Sequence, residues 1–159
     1  MAFFTQKPKV HVGESAPDFT LPDQRGTPRR LTDLLHNGPV VLYFYPKDET
    51  PGCTAQACSF RDQHQVFADA GAQVVGVSAD SVASHDAFAR NHRLPFVLLS
   101  DVDDTVHALY GVEKRLGLLR GRVTFVIDGK GVVRHVSTQA INATAHVKDA
   151  VAVLATLGA

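Results

Sequence analysis

An unbroken run of β-branched and aromatic residues at positions 40–45 constrains the fold of this chain more than any other sequence feature. The run reads Val-Val-Leu-Tyr-Phe-Tyr, and an apolar stretch of this kind predicts a strand that is buried on both faces. Such a strand needs a sheet around it and a layer of helices on each side. Pro46 follows directly and ends the strand.

The rest of the chain alternates between strand-like and helix-like patterns. Further strands are predicted at 73–78 and 96–99, and a hairpin is predicted from the runs at 123–127 and 132–136. The predicted helices span 54–70 (closed by Gly71), 81–91, 101–110 and 144–157, with a short helix at 31–35 and an irregular hairpin at 18–26. This alternation indicates a central mixed sheet with helices on both faces.

Composition and charge exclude several classes of function. The 159 residues are enough for one domain with a real core, which we expect to span 1–159. Sixteen basic residues balance sixteen acidic ones, and a neutral chain lacks the electrostatic signature of a nucleic-acid or acidic-membrane binder. The N-terminus lacks the pattern of a secretory signal, and no apolar stretch reaches the roughly 20 residues that span a membrane. We therefore expect a cytoplasmic protein, where paired cysteines indicate catalysis or redox chemistry rather than a structural disulfide.

The two cysteines of the chain, Cys53 and Cys58, lie where the strand that ends before Pro46 gives way to a helix. We expect this helix to begin near Cys53, which places the thiol beside unpaired backbone amides and at the positive end of the helix dipole. Both effects favour the thiolate, which is the reactive form of cysteine. The sequence therefore predicts one reactive sulfur with a second sulfur nearby.

The spacing of the two cysteines limits how they can react with each other. Five residues of helix separate their Cα atoms by ~8.6 Å, whereas a disulfide needs about 6.8 Å or less. A disulfide between Cys53 and Cys58 therefore requires the helix to unwind locally. The spacing also differs from the Cys-x-x-Cys motif of direct dithiol exchange. A reaction in two steps fits this spacing. The first cysteine is oxidised to a sulfenic acid, and the second cysteine then condenses with it.

The segment around the cysteines resembles a known family. Residues 46–53 reproduce the Pro-x-x-x-Thr-x-x-Cys signature of peroxiredoxins, and the run at 43–62 is similar to the bacterioferritin-comigratory (PrxQ) subfamily. Segments 16–21 and 122–128 match the same family, so the resemblance covers nearly the whole chain. It implies a thioredoxin-like α/β fold, in which a central mixed β-sheet is flanked by helices and carries an N-terminal β-hairpin extension. It also implies thiol-dependent reduction of hydrogen peroxide and organic hydroperoxides.

The resemblance implies roles for individual residues. Cys53 would be the peroxidatic cysteine, which attacks the peroxide as a thiolate. Thr50 would place its hydroxyl beside the sulfur and the peroxide, and Pro46 would shield the pocket. Arg122 would supply a fixed positive charge to the thiolate and the substrate. The backbone amides of Gly52 and Cys53 would complete a cradle for the polarised O–O bond.

The second cysteine and the partners follow from the same resemblance. Cys58 would be the resolving cysteine, and thioredoxin or a similar dithiol donor would reduce the intramolecular disulfide that it forms with Cys53. The sequence ends without the cysteine-bearing C-terminal arm of the decameric two-cysteine class, which argues against an intersubunit disulfide. By resemblance we expect a monomer, with a weak dimer as the alternative. Because sulfur carries both electrons, no metal, haem or flavin is expected.

The two cysteines allow other interpretations. A pair of buried small hydrophobic residues leaves the flanking proline and threonine unexplained. A zinc site that recruits His64 fails because His64 lies on the same predicted helix as the cysteines. Two alternative functions stay open: a general thiol–disulfide oxidoreductase, and a non-enzymatic redox sensor or holdase. Turnover of peroxide distinguishes a peroxidase from both.

Candidates for the wall of the pocket are less specific. Gln56 either orients Arg122 or the start of the helix, or is an ordinary exposed helical residue. Arg115, Arg120 and the loop at 117–121 are secondary candidates.

The other polar and aromatic residues have structural interpretations. Tyr43 and Tyr45 are expected to pack in the core. The eight histidines are expected to be surface residues or hydrogen-bonded core residues. The acidic run at 101–104 is expected to cap a helix, because it lacks the glycine and the terminal glutamate of a calcium-binding loop.

Overall fold

A computed structural model of the chain describes residues 7–112, 114–115, 119–138 and 142–157, with the backbone alone for 114–115 and 119–120. In chain order the elements are β1 (Thr20–Pro22), β2 (Pro28–Arg30), α1 (Leu31–Leu35), β3 (Val40–Phe44), α2 (Pro51–Asp62), α3 (His64–Asp69), β4 (Gln73–Ser78), α4 (Val82–His92), β5 (Val97–Ser100), α5 (Thr105–Tyr110), β6 (Lys114–Arg115), β7 (Leu119–Arg120), β8 (Val123–Ile127), β9 (Val133–Ser137) and α6 (Ala143–Leu157). Within the described ranges, no helix has the length and apolar character needed to cross a bilayer.

Five strands form the central sheet, in the order β5-β4-β3-β8-β9. β5, β4 and β3 are parallel to one another, whereas β8 runs antiparallel to both β3 and β9. β3 is the middle strand and all five of its residues are buried, as its apolar composition predicts. The mixed sheet, the flanking helices and the N-terminal β1–β2 hairpin confirm the predicted fold class.

The side chains of β3 alternate between two hydrophobic cores, one on each face of the sheet. Val40, Leu42 and Phe44 belong to a core that β1, α1 and α5 complete. The other residues of β3, together with Tyr45, belong to a core that α2, α3, α4 and α6 complete. Cys53 lies in this second core. The alternation along one strand therefore decides which aromatic rings surround the cysteine.

The helix that carries both cysteines begins and ends earlier than the sequence pattern indicates. α2 starts at Pro51, because proline suits a first helical position where no amide hydrogen is needed. The chain leaves helical geometry at Gln63 (φ −96°, ψ 10°), and α3 follows. Residues 63–65 are exposed, so burial does not hold this turn in the helix. The prediction of one helix at 54–70 was therefore wrong, whereas Gly71 (φ 71°) follows the second helix as expected.

The acidic run after β5 caps a shorter helix than predicted. α5 begins at Thr105 rather than at Asp101, because Asp104 adopts a left-handed conformation (φ 59°). The Asp101 carboxylate accepts hydrogen bonds from the backbone amides of Val106 and His107, at 3.2 and 2.8 Å. The capping interpretation is confirmed, and the predicted helix start was wrong.

Candidate active site

The chain reaches the cysteine region through a loop that follows β3. Pro46 is half-buried in this loop, and Thr50 ends it in an extended conformation as the N-cap of α2. Gly52 and Cys53 then occupy the second and third helical positions, where backbone amides have no acceptor within the helix. The Thr50 side chain forms no capping hydrogen bond with them, and its hydroxyl donates to the Lys47 carbonyl at 2.8 Å. The helix start therefore offers the two backbone donors that the sequence predicts.

The Cys53 thiol lies in the core, with a guanidinium beside it. Cys53 is 1% exposed and Arg122 is 6% exposed. Nη2 of Arg122 lies 3.5 Å from Sγ of Cys53, although 69 residues separate the two in sequence. The pairing of Phe44 with Val123 across β3 and β8 brings Arg122 to this position. A cation at this distance stabilises the negative charge of a thiolate.

Gln56 holds the other end of the guanidinium. It is fully buried one turn after Cys53, and its side-chain oxygen accepts a hydrogen bond from Nη1 of Arg122. This contact supports the orienting interpretation of Gln56, and its burial rules out the exposed one. Because the Gln56 amide is neutral, it orients Arg122 without cancelling the positive charge.

Tyr43 packs in the same core as the thiol, as expected. Its ring lies 4.6 Å from that of Phe60 and 5.3 Å from that of Tyr45, measured between ring centroids. Gly76 of β4 pairs with Tyr43 of β3, and a Cβ added to Gly76 would lie 2.9 Å from the tyrosine ring. Burial raises the pKa of Tyr43 well above its ordinary value, and the charge of Cys53 adds to this effect. The phenol therefore stays neutral, and within the described part of the chain its buried hydroxyl has no hydrogen-bond partner.

A buried polar network anchors the loop before α2, and the sequence analysis missed it. The Asp48 carboxylate accepts hydrogen bonds from the hydroxyls of Tyr45 and Ser84, at 2.6 and 2.8 Å. It also lies 2.7 Å from Nδ1 of His85, which is a hydrogen-bonded core histidine of the expected kind. The Asp48 amide donates to Asp80 at 2.9 Å. The available signal was the position of Asp48 soon after the buried strand β3. Its partners lie more than 30 residues away, and no short sequence spacing indicates them.

The next residue, Glu49, contacts the C-terminal end of α4. Its backbone is left-handed (φ 62°), which is uncommon for a residue with a Cβ. Its carboxylate accepts a hydrogen bond from Asn91 at 2.8 Å and lies 2.7 Å from Nε2 of His92. The hydrogen bond with His92 is the main reason that the pKa of Glu49 is lowered from its ordinary value. Sequence reasoning also missed this contact.

Cys58 lies five residues further along α2 and is half-buried, and both thiols are free. Helical geometry keeps the two Cα atoms ~8.6 Å apart, which is beyond the reach of a disulfide. The structure therefore corresponds to the reduced, helical state that the spacing predicts.

The remaining sequence candidates concern the predicted wall loop and a possible metal site. Residues 117–118 of the predicted wall loop and the side chains of Arg115 and Arg120 lie outside the described residues. His64 is exposed whereas Cys53 is buried, which argues against a shared zinc site. Among the described residues, two groups have the spacing to hold a metal ion, and neither contains a cysteine: Asp48, Asp80 and His85, and Asp101, Asp104 and His107.

The chain is similar to several known proteins. A model of the AhpC/TSA family matches residues 12–136. The chloroplastic peroxiredoxin Q of Triticum aestivum is 47% identical over 150 residues, which cover 94% of this chain and 69% of that relative. The crystal structure of peroxidoxin BcpB from Mycobacterium tuberculosis matches with a TM-score of 0.88 at 46% identity, over 93% of this chain and 98% of that one. The bacterioferritin comigratory protein of Xanthomonas campestris, studied for its alkyl peroxide reduction activity, matches with a TM-score of 0.82 at 30% identity, over 96% of this chain and 100% of that one.

Proposed function

The chain belongs to the AhpC/TSA family, in its peroxiredoxin Q group, and we propose that it reduces peroxides with Cys53 as the attacking residue. The observation that carries this assignment is the buried contact of 3.5 Å between the Cys53 sulfur and the Arg122 guanidinium at the start of α2. The substrates are hydrogen peroxide and organic hydroperoxides. The alkyl peroxide reduction of the X. campestris relative supports the second class.

The first step oxidises Cys53. Its thiolate attacks the terminal oxygen of the peroxide, so that an S–O bond forms while the O–O bond breaks. Two electrons pass from sulfur to the leaving oxygen, which takes up a proton and departs as water or as an alcohol. Arg122 stabilises negative charge on the sulfur before attack and on the leaving oxygen during attack.

Three groups beside the Cys53 sulfur hold the peroxide in this step. The Thr50 hydroxyl donates to Lys47 and keeps lone pairs free, so it accepts the O–H hydrogen of the peroxide. The amides of Gly52 and Cys53 donate to the peroxide oxygens. A Cβ at Gly52 would lie 3.2 Å from Nη2 of Arg122, so glycine keeps the guanidinium accessible. Pro46 shields the pocket from bulk water.

The second step forms the disulfide. Cys58 attacks the sulfenic sulfur of Cys53, an S–S bond forms, and the S–O bond breaks with release of water. A dithiol donor then returns two electrons and two protons to restore both thiols. We propose thioredoxin as this donor, on the ground that the chain belongs to the peroxiredoxin Q group.

We further propose a single domain over residues 1–159 that acts as a monomer in the cytoplasm. A compartment rich in reduced thioredoxin suits an enzyme that must regain both thiols after each turnover. The chloroplastic location named for the plant relatives is a property of those proteins.

Peroxide turnover tests the assignment. Consumption of hydrogen peroxide is followed with thioredoxin and its reductase for the native protein, Cys53→Ser and Cys58→Ser. We expect no turnover for Cys53→Ser, and one turnover followed by arrest for Cys58→Ser. Native turnover by Cys53→Ser would contradict the assignment. A native protein that exchanges protein disulfides but ignores peroxide would instead be a general thiol–disulfide oxidoreductase.

A further inference from the structure

Formation of the disulfide requires α2 to open between its two cysteines, and one residue of α4 contacts the chain on both sides of this segment. The His92 ring binds the Glu49 carboxylate, which lies two residues before α2. The His92 backbone carbonyl accepts a hydrogen bond at 2.8 Å from Arg61, which lies in the last turn of α2. Asn91 adds a second hydrogen bond to Glu49. We call these four residues, Glu49, Arg61, Asn91 and His92, the α4 latch.

The α4 latch is suited to opening and closing. The contact between Glu49 and His92 is partly exposed, with 25% of the His92 side chain and 47% of the Glu49 side chain accessible, so water can replace the hydrogen bonds when the latch opens. The left-handed backbone of Glu49 is strained, and such strain persists only where surrounding contacts hold it. The His92 ring is fixed on its other side by Phe88, with ring centroids 5.1 Å apart. Opening of the latch therefore releases strain at Glu49 while α4 keeps its place.

We propose that Glu49 and His92 are positioning residues that hold α2 closed and thereby set the rate of disulfide formation, without setting the rate of peroxide attack. The proposal rests on the function assigned above, with Cys58 as the resolving cysteine. Peroxide attack takes place in the closed helix, where Cys53, Gln56 and Arg122 lie together. Condensation takes place only in the open form. If only a small fraction of the molecules has α2 open, a change in that fraction alters the rate of disulfide formation in proportion. It leaves the fraction with α2 closed, and so the rate of peroxide attack, almost unchanged.

The test separates the two steps by their dependence on peroxide concentration. Sulfenate formation is second order, whereas disulfide formation is first order and independent of peroxide. Because the chain contains no tryptophan, both steps are followed by rapid quenching, thiol alkylation and mass spectrometry. The variants are His92→Ala, which removes the ring contact, and Arg61→Gln, which weakens the contact at the other end of α2. His92→Gln restores an N–H donor near the position of Nε2. Arg90→Gln is the matched control, because Arg90 forms an exposed pair with Asp86 on the same helix.

We expect disulfide formation in His92→Ala to be faster by about fivefold, the effect of losing one hydrogen bond to a charged group at a partly exposed site. Arg61→Gln changes in the same direction, and His92→Gln and Arg90→Gln stay within about twofold of the native protein. Sulfenate formation is the same in all of them. Hydrogen exchange of the reduced proteins provides a second measurement, in which the α2 amides of His92→Ala exchange faster than those of Arg90→Gln.

Three kinetic results would overturn the proposal: unchanged or slower disulfide formation in His92→Ala, an equal change in sulfenate formation, or the same acceleration in Arg90→Gln. Unchanged exchange of the α2 amides would do so as well. Failure of the assigned function is recognised separately, because the native protein would then form no sulfenate or no Cys53–Cys58 disulfide.

Discussion

Arg122 is held at two points, by the Gln56 side chain at Nη1 and beside the Cys53 sulfur at Nη2. A planar guanidinium can serve both partners at once, whereas the single charged group of lysine cannot. The reactivity of Cys53 therefore depends on the shape of this cation as well as on its charge.

Substitution of Arg122 tests this dependence. We expect Arg122→Met to lower the second-order rate constant of Cys53 with hydrogen peroxide by about 10²-fold, as for the loss of a preorganised charge-stabilising donor. Arg122→Lys should fall between this variant and the native protein. Arg134→Met is the control, because Arg134 forms an exposed pair with Asp128 and should react at the native rate. Thermal unfolding of each variant shows that it is folded, and a native rate constant in folded Arg122→Met would refute the role of Arg122.

Gly76 makes the room that Tyr43 needs beside the active-site core. An added Cβ would lie 2.9 Å from both the Tyr43 ring and the Leu98 side chain, and both neighbours are buried. We expect Gly76→Ala to lower the free energy of unfolding by about 1–3 kcal/mol, as in other overpacked cores. Gly129→Ala is the control, since its Cβ would meet nothing closer than 4.0 Å. Chemical denaturation measures both, and equal stabilities of the two variants would contradict the packing argument.

Sequence reasoning located the residues of the local motif, and the family resemblance added Arg122 from 69 residues away, but neither indicated the contacts that Asp48 and Glu49 make across the fold. Cys53, Thr50 and Cys58 lie within nine residues of one another, so helix geometry alone relates them. Asp48 and Glu49 depend on α4 residues that lie 36 to 43 positions away. Tertiary packing sets such pairs, and a single sequence contains no periodic signal for them.

Among the elements, α5 depends on a carboxylate that lies outside the helix. Burial opposes ionisation of Asp101, but hydrogen bonds from His107 and from the backbone of Val106 outweigh it and lower the pKa of Asp101. A group with a lowered folded-state pKa adds stability that is fully present above its unfolded pKa, which is about 3.9 for aspartate. This stability is lost as the pH falls through the folded-state value.

The stability of the protein should therefore depend on the protonation of Asp101. We expect Asp101→Asn to have a lower melting temperature than the native protein at pH 7, because the capping charge is gone. The difference should begin to narrow below about pH 4, where the unfolded chain takes up a proton at Asp101 while the folded protein still holds this carboxylate charged. Calorimetry from pH 7 to pH 3 measures it. A difference that stays constant over this range would show that the Asp101 charge does not stabilise α5.

The sequence predicts best the elements whose apolar residues form one clear pattern, either a continuous run or a helical repeat. The five central strands and the α6 helix appear at or within one residue of their predicted positions. The break at Gln63 lies in an exposed polar turn, and α5 starts late because Asp104 adopts a left-handed conformation, so backbone geometry decides both boundaries. β6 and β7 have two residues each, which is too short for any periodic pattern.

At the scale of the whole molecule, β3 joins the two cores, because alternate residues of this one strand belong to each. We therefore expect both cores to unfold together as one domain. Calorimetry of the reduced protein should give a single transition whose calorimetric and van't Hoff enthalpies agree. Two resolved transitions would show that the helices around Cys53 form a separate unit.

The central claim is that Cys53 is oxidised within the closed helix and that α2 then opens to let Cys58 reach it. Peptide mapping by mass spectrometry after one equivalent of hydrogen peroxide tests this most directly. The predicted result is a loss of two hydrogen atoms from the intact protein, with a crosslink between Cys53 and Cys58 of the same chain. A stable sulfenic acid at Cys53 with Cys58 still a free thiol, or a crosslink between two chains, would contradict it.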